Sequence, residues 1–552
     1  MMTYIKRRIR DALAEAFARS CDRQPESEIE VRASDRPEFG DYSTNIALLE
    51  AKRVGQPPRT LAESLAESLQ ECPLFERVEI AGPGFINLFL PAAPKHEALG
   101  EILRRGSRFG YAEPTGEPPV QIEFVSSNPT GPLTVGHGRQ AVLGDVLTNL
   151  YERIGHTVER EYYFNDEGQQ IDLLAKSLWV RYREVFGETL EIPENGYQGE
   201  YLVEIAAELA EAWKEPLPVF DDATRERFRA AAVERTTAMI KSDLALLGVS
   251  FDHWFSEATL HRAGKVDAAL EALRAAGGVF EKDGAVWLKA EERGGAKDSV
   301  LIRSDGRPTY LMVDIAYHID KHERGYAWVL DVQGADHHAE QSCMQVAMEI
   351  LGYPKSFLRY AVHQFVSLKE GGEVQRMSTR AGRFVTLHDL ITDLGRDVVR
   401  YFMISRKPEA HLDFDLDLAR AESLDNPATY VKYAHTRIAS IFRKAQGTLD
   451  EAPDNWAGTD LAPLTEPAEF EMIKTLDRFP EVIETAATGF APHLIAEYAQ
   501  TLARTFHAYY DKHRVLGDDE ALSQARLAML FAVKTVLRSC LEILGMDAPE
   551  EM

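Results

Sequence analysis

Ile5, Ile9, Leu13 and Phe17 recur every fourth residue, which aligns apolar side chains on one helix face and predicts a core-facing helix at the start of the chain. Thr60-Leu-Ala-Glu63 has the form of a capping box ahead of Leu65 and Leu69, so a second helix is expected from Thr60. Residues 77–80 and 85–90 read as strands flanking the turn Gly82-Pro83-Gly84. Together these elements make an α+β domain over 1–115, ending in the linker-like stretch that holds Pro114, Gly116, Pro118 and Pro119.

From Val120 the rhythm changes. Gln121 to Ser126 is β-prone, Asn128 to Pro132 is a turn cluster, the chain is helical from Gly136, and Thr157 to Phe164 reads as another strand. Strand, loop, helix, strand predicts a parallel, doubly wound sheet. An acidic helical stretch from Ile171 to about Leu247 interrupts it, and strand-like runs return at Val279 to Leu288, Trp328 to Val332 and Tyr360 to Leu368. The expectation is an α/β domain over 116–405 whose sheet is split by a helical insertion at about 171–290. Beyond Lys407-Pro408 no strand pattern is apparent, while Leu527, Leu530, Leu537, Leu541 and Leu544 keep helical spacing, so 406–552 is expected to be a helical bundle.

Composition narrows the class. The basic start MMTYIKRRIR is not followed by an apolar segment, and no apolar run approaches the roughly 20 residues needed to span a bilayer. A cytoplasmic protein without membrane attachment is expected. Cys21, Cys72, Cys343 and Cys540 are scattered and form no CxxC pair, which argues against a zinc ribbon or a disulfide framework. A formal net charge of −26 argues against indiscriminate binding to nucleic acid but leaves room for one specific RNA held by local basic patches.

Three segments carry chemistry. Ser126-Ser-Asn-Pro-Thr-Gly-Pro-Leu-Thr-Val-Gly-His-Gly-Arg139 falls between a strand and a helix, where open α/β sheets bind nucleotides. Gly136 permits close approach of a flat base, and His137 at the helix start is placed to donate to phosphate oxygens. Neither GxGxxG nor a Walker sequence is present, so NAD use and a P-loop are not supported. Arg376-Met-Ser-Thr-Arg-Ala-Gly-Arg383 is a basic loop. In Asp305-Gly-Arg-Pro-Thr-Tyr310-Leu-Met-Val-Asp314, Tyr310 and Asp314 lie one helical turn apart on a shared face. His318 and His322 are spaced i, i+4 but lack the glutamate of HExxH, and His337 and His338 are adjacent; no protein-bound zinc is expected.

These segments resemble the arginyl family of class I aminoacyl-tRNA synthetases. Thr134-Val-Gly-His137 resembles the first class signature, with threonine in place of its first histidine, and Arg376-Met-Ser-Thr-Arg380 resembles the second, with Thr379 in place of its second lysine. Phe39-Gly-Asp-Tyr-Ser-Thr-Asn45, Ala81-Gly-Pro-Gly-Phe-Ile-Asn87, Glu161 to Gln170, Asn426 to His435 and the final Leu544 to Met552 are also similar to arginyl-family segments, so the resemblance covers nearly the whole chain. It implies a Rossmann-like catalytic domain with a parallel sheet, an α+β N-terminal domain that contacts tRNA, and an all-α anticodon-binding bundle. It further implies arginine binding by Glu123, Ser127, Asn128, Tyr310 and Asp314, and ATP binding by Pro129, Thr130, Gly131, Pro132, Thr134, Gly136, His137, Gly334, Asp336, Met377 and Ser378. Catalytic roles fall to His137, Arg376, Ser378 and Arg380. The implied reactants are L-arginine, ATP carried with Mg²⁺ and tRNA(Arg), with Tyr430 and Tyr433 as candidate RNA contacts and a monomer as the working state.

Overall fold

The computed structural model describes residues 3–34, 36–374, 385–445 and 456–552. The chain opens with α1 (Tyr4–Cys21), capped by the Thr3 hydroxyl, which buries Ile5, Ile9, Leu13 and Phe17. Strands β1 (Val31–Ala33) and β2 (Tyr42–Thr44) lead to α2 (Ile46–Val54) and α3 (Pro58–Gln70), then to β3 (Arg77–Ala81), β4 (Phe85–Phe89) and α4 (Ala92–Arg105). The four strands form an antiparallel sheet in the order β1-β2-β4-β3. The expected capping box at Thr60 is corrected: α3 already starts at Pro58, whose fixed φ and missing N–H suit a first helical turn.

The central domain runs through β5 (Val120–Glu123), α5 (Val135–Arg153), β6 (Val158–Phe164), α6 (Gln169–Val185), α7 (Glu200–Trp213), α8 (Asp222–Leu246) and β7 (His253–Ser256). It continues with α9 (Ala258–Arg262), α10 (Lys265–Ala275), β8 (Val279–Lys282), β9 (Ala285–Leu288), β10 (Ser299–Ile302), α11 (Tyr310–Glu323), β11 (Val329–Gly334), α12 (His338–Ile350) and β12 (Leu358–His363). Five strands build one parallel sheet in the order β12-β11-β5-β6-β7. The order reverses between β5 and β11, and in such sheets ligands bind beyond the carboxyl ends of the strands at that reversal.

Two expectations change here. The helical stretch 171–290 is broken after Leu246: His253–Ser256 returns to pair with β6 as the sheet's fifth strand before α9 and α10 follow. Val279 to Leu288 does not resume the parallel sheet but forms, with β10, a separate antiparallel meander. The inserted helices α6, α7 and α8 have a small core of their own around Leu174, Leu178, Leu202 and Phe228.

The run Tyr360 to Leu368 is likewise two strands. It breaks after His363, and β13 (Val366–Glu370) joins another sheet with β14 (Glu373–Val374) and, in parallel, β15 (Leu412–Asp415). The presence of β15 corrects the reading that no strand follows Lys407-Pro408. Between them lie α13 (Leu387–Leu394) and α14 (Arg396–Ile404). After α15 (Leu416–Arg420) the chain is helical: α16 (Pro427–Lys444), α17 (Pro467–Asp477), α18 (Phe479–Thr488), α19 (His493–Tyr510) and α20 (Glu520–Ile543). The N-terminal domain docks on this bundle, with the Asp477 carboxylate at the end of α17 accepting from the first backbone N–H groups of α1, Tyr4 at 3.0 Å and Ile5 at 3.2 Å.

Candidate active site

α5 lies close against the sheet because Gly144 leaves room for Phe124; a Cβ at Gly144 would stand 2.1 Å from the Phe124 ring. Its register is fixed by Arg139, fully buried, whose guanidinium donates to the carbonyls of Gln364 (2.6 Å), Lys407 (3.0 Å) and Ala410 (3.0 Å). The segment joining β5 to α5 therefore stands at the reversal of strand order with both ends held. It is also strained: Val125 (φ 68°) and Ser126 (φ 41°) occupy the left-handed region, which a β-branched residue rarely enters.

Past this bend, Ser127 exchanges hydrogen bonds with Tyr162 (Oγ to Oη 2.9 Å; Oη to the Ser127 carbonyl 3.0 Å), and Asn128 donates to Gln170 at 2.8 Å. Pro129 to Pro132 cross towards the helix, whose N-cap is Thr134. The Thr134 N–H donates to His137 Nδ1 at 3.1 Å. That bond leaves Nδ1 as an acceptor, so the ring proton sits on Nε2 and makes it a donor. Burial, reinforced by His363, holds the His137 pKa down at about 4, in keeping with a neutral ring. Gly136, the second residue of the helix, faces open space, where an added Cβ would meet nothing nearer than Thr134 Oγ1 at 3.7 Å.

On the other side of the reversal, Gly334 ends β11, and Asp336 follows it with its carboxylate where a Gly334 Cβ would be, 2.4 Å away. His363 ends β12 beside Gly334; its Nε2 is buried with no hydrogen-bond partner among the described residues.

A cavity of about 50 Å³ opens between β5, β11 and α11, with Glu123, Asp314, Asp331, Tyr163, Gln333 and Gln341 among its lining residues. Below it lies a buried charge network. Lys321, fully buried, donates to Glu123 Oε2 (2.6 Å) and Asp331 Oδ1 (2.9 Å), while His318 Nε2 stands 2.9 Å from Asp331 Oδ2. Glu123 Oε1 accepts from Ser126 Oγ at 2.8 Å. Burial penalises all of these charges. It is outweighed at Lys321, whose charge is stabilised by Asp331 and Glu123, and at Asp331, held well below the usual carboxylate range by Lys321 and His318. Burial raises Glu123, against the pull of Lys321.

Asp314 has no such compensation. Burial pushes its pKa up to about 7, with Glu123, Glu257 and Asp331 adding repulsion that His318 only partly offsets. The cavity thus has more carboxylates than cations, and a planar cation that donates to Glu123 and Asp314 would correct the imbalance.

Among the sequence candidates, Glu123 and Asp314 meet in this cavity and Gly136, His137, Gly334 and Asp336 surround the adjacent strand ends. Tyr310 stands apart from the cavity lining, as the first residue of α11 with 60% of its surface exposed. Arg376, Met377, Ser378 and Arg380 lie outside the described residues, although α13 just beyond them is held to the first segment by Leu387 N–H donating to the Leu133 carbonyl at 2.8 Å. Lys321, Asp331, Tyr163, Gln333 and Gln341 were not singled out. A signal existed for Lys321, since Asp314, His318 and Lys321 follow helical spacing on one face, but a lysine at that position reads as solvent-facing until β11 is placed beneath it.

A second candidate surface lies on the bundle. Tyr430 and Tyr433 on α16 flank His507 of α19, with ring centroids 5.0 and 5.8 Å away, and Arg437 lies 4.5 Å over the Tyr510 ring. Lys444, Lys512, His513 and Arg514 continue this face around a nearby groove. Aromatic rings interleaved with cations suit an unpaired nucleic-acid strand. Among the described residues no cluster of three or more His, Cys, Asp or Glu side chains forms a metal site, and no helix is long and apolar enough to cross a membrane.

A parallel sheet with its nucleotide-type helix start and acidic cavity at the strand reversal, followed by a helical bundle, defines a class I aminoacyl-tRNA synthetase; residues 99–409 match the model for the class I (R) tRNA synthetase catalytic domain. Residues 3–90 match the arginyl tRNA synthetase N terminal domain, and residues 431–552 match the DALR anticodon binding domain. The chain is 42% identical to the arginine–tRNA ligase of Thermotoga maritima over 554 residues, covering 100% of both chains. It is 42% identical to that of Syntrophotalea carbinolica over 557 residues, covering 99% of this chain and 100% of the relative. The chain belongs to the arginyl-tRNA synthetase family and is an aminoacyl-tRNA ligase. The Thermus thermophilus arginyl-tRNA synthetase, 23% identical, shares the fold with a TM-score of 0.77 over 99% of this chain and 100% of the other.

Proposed function

We propose that this chain couples L-arginine to tRNA(Arg) in two steps. A carboxylate oxygen of arginine attacks the α-phosphorus of ATP, bound as its Mg²⁺ complex, and the bond to the β-phosphate breaks to release pyrophosphate. A hydroxyl of the 3′-terminal adenosine then attacks the activated carbonyl, its proton is lost, and AMP leaves. The observation that supports arginine as the substrate is the uncompensated acidic cavity holding Glu123 and Asp314.

In this reading the two carboxylates receive the guanidinium, and Tyr310, one helical turn before Asp314, is a further arginine contact. Ser127 and Asn128 take the α-amino and carboxylate groups. ATP lies along Pro129, Thr130, Gly131, Pro132, Thr134 and Gly136 towards Gly334 and Asp336. His137 donates through Nε2–H to the charge that grows on the phosphates, and the helix N-terminus adds its own field. The loop with Arg376, Met377, Ser378 and Arg380 neutralises pyrophosphate, Arg380 offsetting the missing second lysine at Thr379. No protein nucleophile is required; position and electrostatics supply the rate. Tyr430 and Tyr433 stack on unpaired tRNA bases. The working state is a cytoplasmic monomer without bound zinc. Arginine-dependent exchange between ATP and pyrophosphate tests the first step, and charging of tRNA(Arg) the second; exchange driven by another amino acid would overturn the assignment.

A further inference from the structure

The inserted helices reach back to the segment that joins β5 to α5. Tyr201 of α7 donates from its phenol to the Thr130 carbonyl at 2.6 Å, and its ring closes over Gly131, where an added Cβ would lie 3.0 Å from Oη and 3.1 Å from Cζ. Thr236 of α8, fully buried, has its hydroxyl 2.7 Å from the Pro129 carbonyl. Gln170 of α6 accepts from Asn128. Each of the three inserted helices therefore holds a residue of this loop. The loop lies at a strand reversal and, through Pro129 and Pro132, offers few backbone donors of its own, so its carbonyls are fixed from outside.

α8 also reaches the helix that follows the second signature. Thr236, Ile240 and Asp243 share one face of α8 at spacings of four and three, and Asp243 stands 3.2 Å from His388 Nδ1 at the start of α13. One rigid element thus touches the first loop and the helix that follows the second.

We propose that Tyr201 and Thr236 are positioning residues for the nucleotide, and that the inserted helical unit sets the ATP-binding loop. This rests on the reading that residues 129–136 hold ATP. Tyr201→Phe removes one hydroxyl and keeps the ring, Thr236→Val keeps the shape of the buried side chain, and Gly131→Ala pushes on the same contact from the loop side.

The test measures ATP affinity by calorimetry, ATP–pyrophosphate exchange with each substrate varied, and Tm, on the full chain. Tyr201→Phe and Gly131→Ala should each weaken ATP binding and lower kcat/KM for ATP about tenfold, the scale of one lost positioned hydrogen bond. KM for arginine and Tm should stay at wild-type values. The double variant should be no worse than Gly131→Ala alone, because removing Oη relieves the tightest contact. Thr236→Val should follow Tyr201→Phe. The proposal is overturned if Tyr201→Phe handles ATP like wild type, if both substrates worsen in parallel with a lower Tm, or if the two losses multiply. Absence of exchange in the wild-type protein with arginine and tRNA(Arg) both present would instead overturn the assigned reaction, while ATP affinity would still report on the loop.

Discussion

At the scale of single residues, two side chains carry opposite electrostatic assignments. His137 is neutral because its Nδ1 already accepts the Thr134 N–H and burial holds its pKa at about 4. In the proposed mechanism it serves as a hydrogen-bond donor rather than a cation, so the free enzyme should show no ionisation from it between about pH 5.5 and 8. His137→Ala should lower the rate of adenylate formation roughly 10²–10³-fold while changing the KM for ATP and arginine little, since the bond strengthens only as charge develops at phosphorus. Single-turnover adenylate formation measures this. Asp314 is the converse case, a carboxyl raised to about 7 chiefly by burial. In the proposed site arginine selects its ionised form, so binding should release a proton. Arginine affinity should be flat above about pH 8 and fall about tenfold per unit well below 7. The sign for stability is opposite: a raised native pKa means the folded state binds the extra proton, so in the unliganded protein this group stabilises the fold as pH drops from 7 towards 4. Asp314→Asn should abolish the slope of arginine affinity with pH and weaken binding at pH 8, leaving ATP affinity unchanged; equal losses for both substrates would make the residue structural. Calorimetric titrations across pH supply the answer.

At the scale of elements, α11 joins the cavity to the sheet, and Lys321 is its inner anchor. Truncating one partner of a buried ion pair strands the others, so Lys321→Met leaves Glu123 and Asp331 without their cation and should cost about 3–5 kcal/mol in denaturant unfolding. A loss below about 1 kcal/mol would mean the network relaxes without it. This element also marks where sequence reading ran out. The helix itself was legible from Tyr310 onward, and so was the Tyr310–Asp314 face, because helical spacing is local. The charges that Lys321 meets come from Glu123 of β5, 198 residues earlier, and from Asp331 of β11, 10 residues later across a turn, and helical spacing announces neither. β15 was missed for another reason: Leu412 and Phe414 do alternate with exposed Asp413 and Asp415, but four residues beside a Lys-Pro break are too short to outweigh the helices that follow. His253–Ser256 was absorbed into the insertion because its burial is only partial and its pairing partner β6 precedes three helices. By contrast α5 and the loop before it were plain, since glycine, proline and a helix start fall together there.

At the scale of the whole molecule, a parallel sheet places the acidic cavity and the start of α5 side by side at its reversal, and the inserted helices and the C-terminal bundle close around it. Asp477 and the first turn of α1 join the N-terminal domain to that bundle, and Arg139 and Arg153 tie α5 to the segments beyond the sheet, with Arg153 donating to Ser539 and Glu542 of α20. One continuous core of buried apolar side chains runs from α1 through the sheet to α20. Such an assembly links the aromatic and basic face of the bundle to the strand reversal through packed elements. The central claim is that the acidic cavity selects arginine for activation by ATP, and the most direct measurement is ATP–pyrophosphate exchange by the full chain with each amino acid in turn, with and without tRNA(Arg). The account predicts exchange with L-arginine, greatest when tRNA is present, and none above background with lysine or with an uncharged isostere of arginine; exchange that is indifferent to the guanidinium, or absent with arginine and tRNA together, would contradict it.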